Sequence, residues 1–151
     1  MHKTFRRLLA ALALTALLGS FALAQVLVIA QGTDAVSLDP HDVTDSPSAT
    51  VVSHMYETLF ELTPEGEIVP HLATDFVYDD DGMGITLTIR EGVTFHDGTP
   101  LTAEIVKGSL DRFLDPENAW TFRFLLDSIS DVTVTGDHTL EITLANQFAP
   151  L

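Results

Sequence analysis

The sequence predicts an α/β fold built on a mixed sheet with hairpins, and three observations carry that expectation. A strict two-residue alternation runs through Ile85, Leu87 and Ile89. A helical apolar stripe follows at Ile105, Val106, Ser109, Leu110 and Phe113. Turn-forming runs at residues 79–82 and 136–137 join extended segments in pairs. Helices and strands interleave, but the hairpins argue against a purely parallel sheet.

Taken in order, residues 26–30 are a continuous apolar run, expected to be a strand covered on both faces. Gln31-Gly32-Thr33-Asp34 is a polar loop leading to Leu38-Asp39-Pro40. Ser46 before Pro47 reads as an N-cap with proline at the first helical position. Val51, Val52, Met55, Leu59 and Phe60 would form that helix's buried stripe, with Tyr56 and Phe60 four apart on it. Pro64-Glu65-Gly66 is a turn, Ile68-Val69 a short strand, and Phe76 and Tyr78 the inward positions of another. Asp79-Asp80-Asp81-Gly82 reverses the chain into the Ile85 strand.

REGVTFHDGTPLTAEIV, residues 90–106, reads as strand, tight turn and helix start. Gly98 supplies the positive φ that His96-Asp97-Gly98 needs to turn. Thr102 is the expected N-cap, Glu104 suits the dipole of the first turn, and Asp115-Pro116 stops the helix. Residues 120–126 are expected to form a second short helix. Val132 and Val134, then Gly136-Asp137, then Leu140, Ile142 and Leu144 make a further hairpin.

Residues 1–24 read as an export signal, not as fold. Lys3, Arg6 and Arg7 form a basic start, residues 8–18 an apolar core too short for a permanent span, and Ala22-Leu23-Ala24 a cleavage site. The chain is expected to be exported to the periplasm or the extracellular space, by the general secretory route in preference to the twin-arginine one, and cut near Ala24. It has no cysteine, hence no disulfide, no thiolate ligand and no lipid-bearing cysteine after the signal. No direct membrane anchor is expected. Three of the 7 Lys and Arg fall in the signal, so four remain against 22 acidic residues, a formal charge of −18 on residues 25–151. That charge repels phosphate backbones and anionic lipid heads, which excludes nucleic acid as a partner.

The remaining chemistry is sparse. His41, His54, His71, His96 and His138 share no HExxH or close HxxxH spacing, so no metal site and no cofactor are expected. A calcium loop opening at Asp79 would put Met83 and Arg90 where carboxylates are required. There is no G-x-S-x-G elbow and no phosphate-cradling G-x-x-x-x-G-K-[ST] loop. An enzyme, for instance a secreted hydrolase, is therefore not expected, and any use of ATP belongs to a partner. Trp120, the single tryptophan, follows the loop-like Pro116-Glu117-Asn118-Ala119, and a large amphipathic ring there is a candidate wall of a ligand cleft or a core residue.

The segments VLVIAQGTDAVSLDPH, MYETLFEL, GEIVPHLATDF, DDGMGITLTIREGVTFHDGTPLTAEIVKGSLDRFLDP and LEITLANQFAPL occur in that order and cover almost all of residues 25–151. Through them the chain resembles the extracytoplasmic solute-binding proteins of the dipeptide, oligopeptide and nickel ABC importers. The resemblance implies the amino-terminal part of a two-lobed periplasmic-binding-protein fold: residues 25–151 would be part of the first lobe with its extra subdomain, before the hinge and the second lobe. It implies capture of a short peptide between lobes and delivery to a membrane permease with separate ATPase subunits, by a protein monomeric when full length. Nickel or a metal chelate is the alternative cargo, against which Ala49 stands where that subgroup carries a larger side chain.

The loop after the first strand borders the cleft in such proteins, which implies Gly32, Thr33, Asp34 and Ala35 as ligand-binding positions. Asp34 either pairs with a peptide ammonium or closes a turn. Trp120 matches an aromatic position that faces the metal complex in nickel binders. The chain ends Asn146-Gln147-Phe148-Ala149-Pro150-Leu151, after a strand and without a polar tail, and is expected to be a fragment. Alone, it is expected to be marginal, with uncovered strand edges.

Overall fold

A strand of alternating residues is stable only where its apolar side meets a second layer, and the Ile85 strand meets one. The computed structural model describes residues 27–147, so the expected export signal and the last four residues lie outside the described residues. Residues 1–32 and 33–151 form separate units. Of the first unit, residues 27–32 carry no regular structure, with Leu27 and Val28 more than four-fifths exposed. The strand expected at residues 26–30 is thus not seen over 27–30 (Val26 is not described). A strand requires a hydrogen-bonded neighbour, and the described residues supply none for this run.

The second unit runs α1 (Ser46–Val52), β1 (Phe60–Leu62), β2 (Ile68–Pro70), β3 (Ala73–Tyr78), β4 (Gly84–Ile89), α2 (Ala103–Leu114), two 3-10 turns (Pro116–Asn118 and Arg123–Leu126), β5 (Ile129–Gly136) and β6 (Thr139–Leu144). β1 and β2 form a hairpin. The other four strands form one sheet in the order β3-β4-β6-β5, and every strand pairing among the described residues is antiparallel. The architecture is α/β, with the hairpins that the turn residues predict.

Register explains the core. Leu87 lies opposite Leu140 and Ile85 opposite Ile142, while Ile142 and Leu140 also face Val132 and Val134 of β5. Directly opposed residues share a face, so one side of β4, β6 and β5 is continuously aliphatic. Helix α2 packs over β5 and β6. Leu101, Ala103 and Val106 are buried with Ile85, Leu87, Ile89, Leu140, Ile142 and Leu144. Each such large side chain contributes roughly 1.5–3 kcal/mol of transfer free energy.

Phe76 and Tyr78 lie opposite Leu87 and Ile85, so they do point to the core face. They nevertheless remain 45% and 39% exposed, because β3 is an edge strand beyond the reach of α2. Phe60, Phe76 and Tyr78 instead pack edge-on against one another, with ring centroids 5.4 and 5.9 Å apart.

The turn at His96-Asp97-Gly98 is present. The Phe95 amide donates to Thr99 O and the Gly98 amide to Phe95 O, with Gly98 at φ +87°. Thr102 is the N-cap of α2, but its side chain makes no capping bond; its carbonyl accepts from Ile105 and Val106.

Three expectations change. The N-cap of α1 is Asp45, not Ser46, because the Asp45 carboxylate reaches the Ser48 amide at 2.9 Å. The helix ends at Val52, so Met55, Tyr56, Leu59 and Phe60 are not on its stripe, and Phe60 opens β1. The reason is local: Ser53 Oγ and His54 Nδ1 both bond Thr50 O, at 2.9 and 2.7 Å, taking the carbonyl that the next helical turn would use. The helix expected at 120–126 shrinks to the 3-10 turn Arg123–Leu126, since Ala119 is left-handed at φ 51° and redirects the chain before Trp120.

Candidate functional site

The segment between residue 33 and α1 has no regular structure, so its amides need partners from elsewhere. Ser48, on the inner side of α1 and fully buried, supplies one. Its Oγ accepts the Val36 amide at 2.9 Å and the Ser37 amide at 3.2 Å, and donates to Asp45 Oδ2 at 2.8 Å. The hydroxyl's donor and both its acceptor positions are thereby used.

Further along, Asp39 receives a fork from Arg112 of α2, with Nη1 to Oδ1 at 3.0 Å and Nη2 to Oδ2 at 2.5 Å, and Oδ1 also accepts the His41 amide at 3.1 Å. Hydrogen bonding from Arg112 is the main reason the Asp39 carboxyl is lowered to about 2, against a smaller opposing effect of burial. The same bonds raise the Arg112 pKa above its ordinary value.

His41 completes the cluster. Arg112 Nη1 lies 2.8 Å from His41 Nδ1, and since a guanidinium only donates, Nδ1 carries the lone pair of a neutral ring. Nε2 then holds the proton and faces Ser109 Oγ at 3.4 Å. Burial is the first cause of the lowered His41 pKa and the Arg112 charge the second, with Asp39 opposing them. Phe113 and Trp120 meet the His41 ring edge-on at 5.2 and 6.0 Å.

Trp120 is half-buried, its indole 4.8 Å from the Arg112 guanidinium carbon. Its Nε1 donates to Arg112 O at 3.1 Å, and Asn118 Nδ2 donates to the same carbonyl at 2.9 Å. The loop after α2 thereby closes over the helix end.

Beside this cluster lies an open groove of about 780 Å³, lined by apolar side chains including Leu59, Leu72, Leu101 and Ile105 and by Asp39, His41 and Arg112. A smaller hollow of about 360 Å³ is lined by Asp111, Asp115, Asp127, Asp131 and Arg123. Among the described residues no group of three or more His, Asp or Glu is arranged to hold a metal ion. No helix among them is long and apolar enough to cross a membrane.

The positions singled out in the sequence fall as follows. Gly32, Thr33 and Asp34 are exposed and Ala35 is half-buried, all without regular structure. Among the described residues Asp34 has no ion-pair partner. Trp120 lies behind Arg112 and does not line the groove. Sequence reasoning missed two groups, Ser48 with the loop amides it holds, and Asp39, His41 and Arg112 together. One signal for Arg112 was available: with only four Lys and Arg in residues 25–151, each is more valuable than usual, and Arg112 lies in the last turn of a helix eight residues before the lone tryptophan.

The described residues thus form an antiparallel α/β unit with a pinned loop leading into its first helix. The comparisons give the family. The sequence model of the bacterial extracellular solute-binding proteins, family 5 (middle region), matches residues 67–151, and the chain belongs to that family. The glutathione-binding protein GsiB of Escherichia coli K12 is 37% identical over 136 residues, which are 89% of this chain and 27% of that protein. The E. coli murein tripeptide binding protein MppA superposes with a TM-score of 0.70 at 29% identity, over 77% of this chain and 26% of its own. OppA of Listeria monocytogenes, solved with bound peptide, gives 0.70 at 27%, over 78% and 26%. The chain thus spans about a quarter of the length of these relatives.

Proposed function

We propose that the full-length protein is the solute-binding component of an ABC importer, which captures short peptides outside the cytoplasmic membrane and delivers them to a permease driven by separate ATPase subunits. The observation that carries this reading is the similarity to a glutathione-binding protein along 89% of the chain, at 37% identity. Glutathione is itself a modified tripeptide, MppA is named for a murein tripeptide, and OppA was solved with bound peptide. Residues 1–24 would direct export, and the released protein would act as a monomer.

Capture would proceed by closure of two lobes around the solute, with the closed, occupied state recognised by the permease. Residues 25–151 would provide one wall, as part of the first lobe with its subdomain. Gly32, Thr33, Asp34 and Ala35 border the cleft in this reading. Their exposed backbone suits strand-like pairing with a peptide, and the Asp34 carboxylate suits its ammonium group. Trp120, stacked on Arg112, is the second site position and its indole the natural reporter of occupancy.

Isothermal titration of the full-length protein with glutathione, trialanine and nickel–histidine tests this. Saturable binding of either peptide is expected, with Asp34→Asn weakening it about tenfold or more through loss of a charge-assisted bond. Binding of nickel–histidine alone would replace the peptide reading with the metal-chelate one. Turnover of either peptide would show an enzyme instead.

A further inference from the structure

The loop that borders the proposed cleft is followed at once by two anchors. We infer that Ser48 and Arg112 are positioning residues for solute capture, which hold residues 33–41 in a preset conformation so that Thr33, Asp34 and Ala35 need not be ordered by the solute. This rests on the proposed binding role of those three residues.

The first anchor is saturated. Val36 and Ser37, the residues directly after Ala35, have their amides on the Ser48 hydroxyl, whose proton goes to Asp45. Asp45 also accepts the Ser48 amide, so the cap of α1 and the loop share one four-bond network. An alanine at position 48 keeps the cap bond to the amide and deletes the other three.

The second anchor depends on shape as well as charge. Arg112 meets both Asp39 oxygens, reaches His41 Nδ1 and lies under the Trp120 ring. A planar fork does all of this at once; a lysine ammonium keeps the charge but neither the two parallel bonds nor the stacking. Trp120 also touches the loop through Arg112 and His41, which ties that site position to the second anchor. Between the anchors the loop loses freedom before any solute arrives, and an ordered loop binds more tightly than one that must be ordered on binding.

Hydrogen exchange and trialanine titration of the full-length protein test the inference together, on wild type, Ser48→Ala, Arg112→Lys and Arg112→Ala, with Lys107→Gln as a control outside both anchors. Faster exchange of the Val36 and Ser37 amides is expected in Ser48→Ala and of the His41 amide in both Arg112 variants, while the Ile85 and Leu87 amides stay protected. Trialanine affinity should fall about tenfold, and millimolar guanidinium should restore it in Arg112→Ala but not in Arg112→Lys. A loosened loop with unchanged affinity overturns the positioning role, and unchanged exchange overturns the anchors. A wild type that binds neither trialanine nor glutathione refutes the peptide-binding reading and with it the role in capture, while the exchange data separately decide whether the anchors exist. If Ser48→Ala unfolds globally, the Arg112→Lys result decides.

Discussion

The sheet half of the molecule, β4, β5, β6 and α2, and the segment from residue 33 to α1 are held by opposite means. In the first, aliphatic side chains from four elements bury one another, and Leu140 is completely enclosed between Leu87 and Val134. In the second the large apolar side chain Val36 is mostly exposed and Leu38 half exposed, and order comes from a hydroxyl and a guanidinium. Burial is non-directional and tolerates small shifts; hydrogen bonds fix position but contribute little net stability each. Here the two are combined in one unit.

The strongest way to break this contrast is in the sheet. Leu140→Ala should lower unfolding free energy by about 2–5 kcal/mol, because it leaves a cavity among β4, β5 and α2. Denaturant unfolding of the full-length protein measures it. A cost under about 1 kcal/mol would mean that this face is not closed as described.

Ser48→Ala is the next largest. Two amides lose their acceptor and one carboxylate oxygen its donor, at an expected cost of about 1–3 kcal/mol. Water can reach part of the loop, so the value should lie below that of Leu140→Ala. Were the order reversed, the segment before α1 and not the sheet would be the principal source of stability.

The same contrast explains what could be read from the sequence. Alternation at Ile85, Leu87 and Ile89, the Val132 to Leu144 hairpin, helix α2 and the turn at Gly98 all report local periodicity or local backbone chemistry, and all are present, although of the expected α2 stripe Val106 is buried, Leu110 and Phe113 are half-buried, and Ile105 and Ser109 are exposed. Failures came where a local pattern met a competitor. Val51, Val52 and Met55 have helical spacing, yet side chains at Ser53 and His54 take the carbonyl of Thr50 and end α1 early. Phe76 and Tyr78 have the alternation of inward residues, but whether an edge strand is roofed depends on where a helix 25 or more residues later comes to lie. The Asp39–Arg112 fork joins residues 73 apart, and no spacing rule reaches that far. Gly32, Thr33, Asp34 and Ala35 were singled out only through a resemblance, and their surroundings show why: nothing in their own periodicity marks them.

Acidification offers the smallest effect and the sharpest separation of the two halves, since His41 and Asp39 both titrate in the loop cluster. The folded His41 pKa lies below its ordinary 6.5, so the unfolded chain binds the proton more readily. Its contribution is therefore fully present above pH 6.5 and is lost as pH falls from there through the folded value. A proton on Nδ1 would also set two donors, His41 and Arg112, against each other. Asp39 acts lower: its contribution is complete above the ordinary 3.8 and is lost as pH falls from there through about 2. On acidification from pH 7.5 to 2 the His41 contribution thus begins to fall first, below 6.5, and the Asp39 contribution below 3.8, an upper and a lower step in the unfolding midpoint. His41→Gln should flatten the upper step and Asp39→Asn the lower one, while Leu140→Ala should shift the whole curve down without changing its shape. A curve whose upper step survives His41→Gln would remove His41 from the cluster's titration and leave the guanidinium–carboxylate fork as its only pH-dependent element.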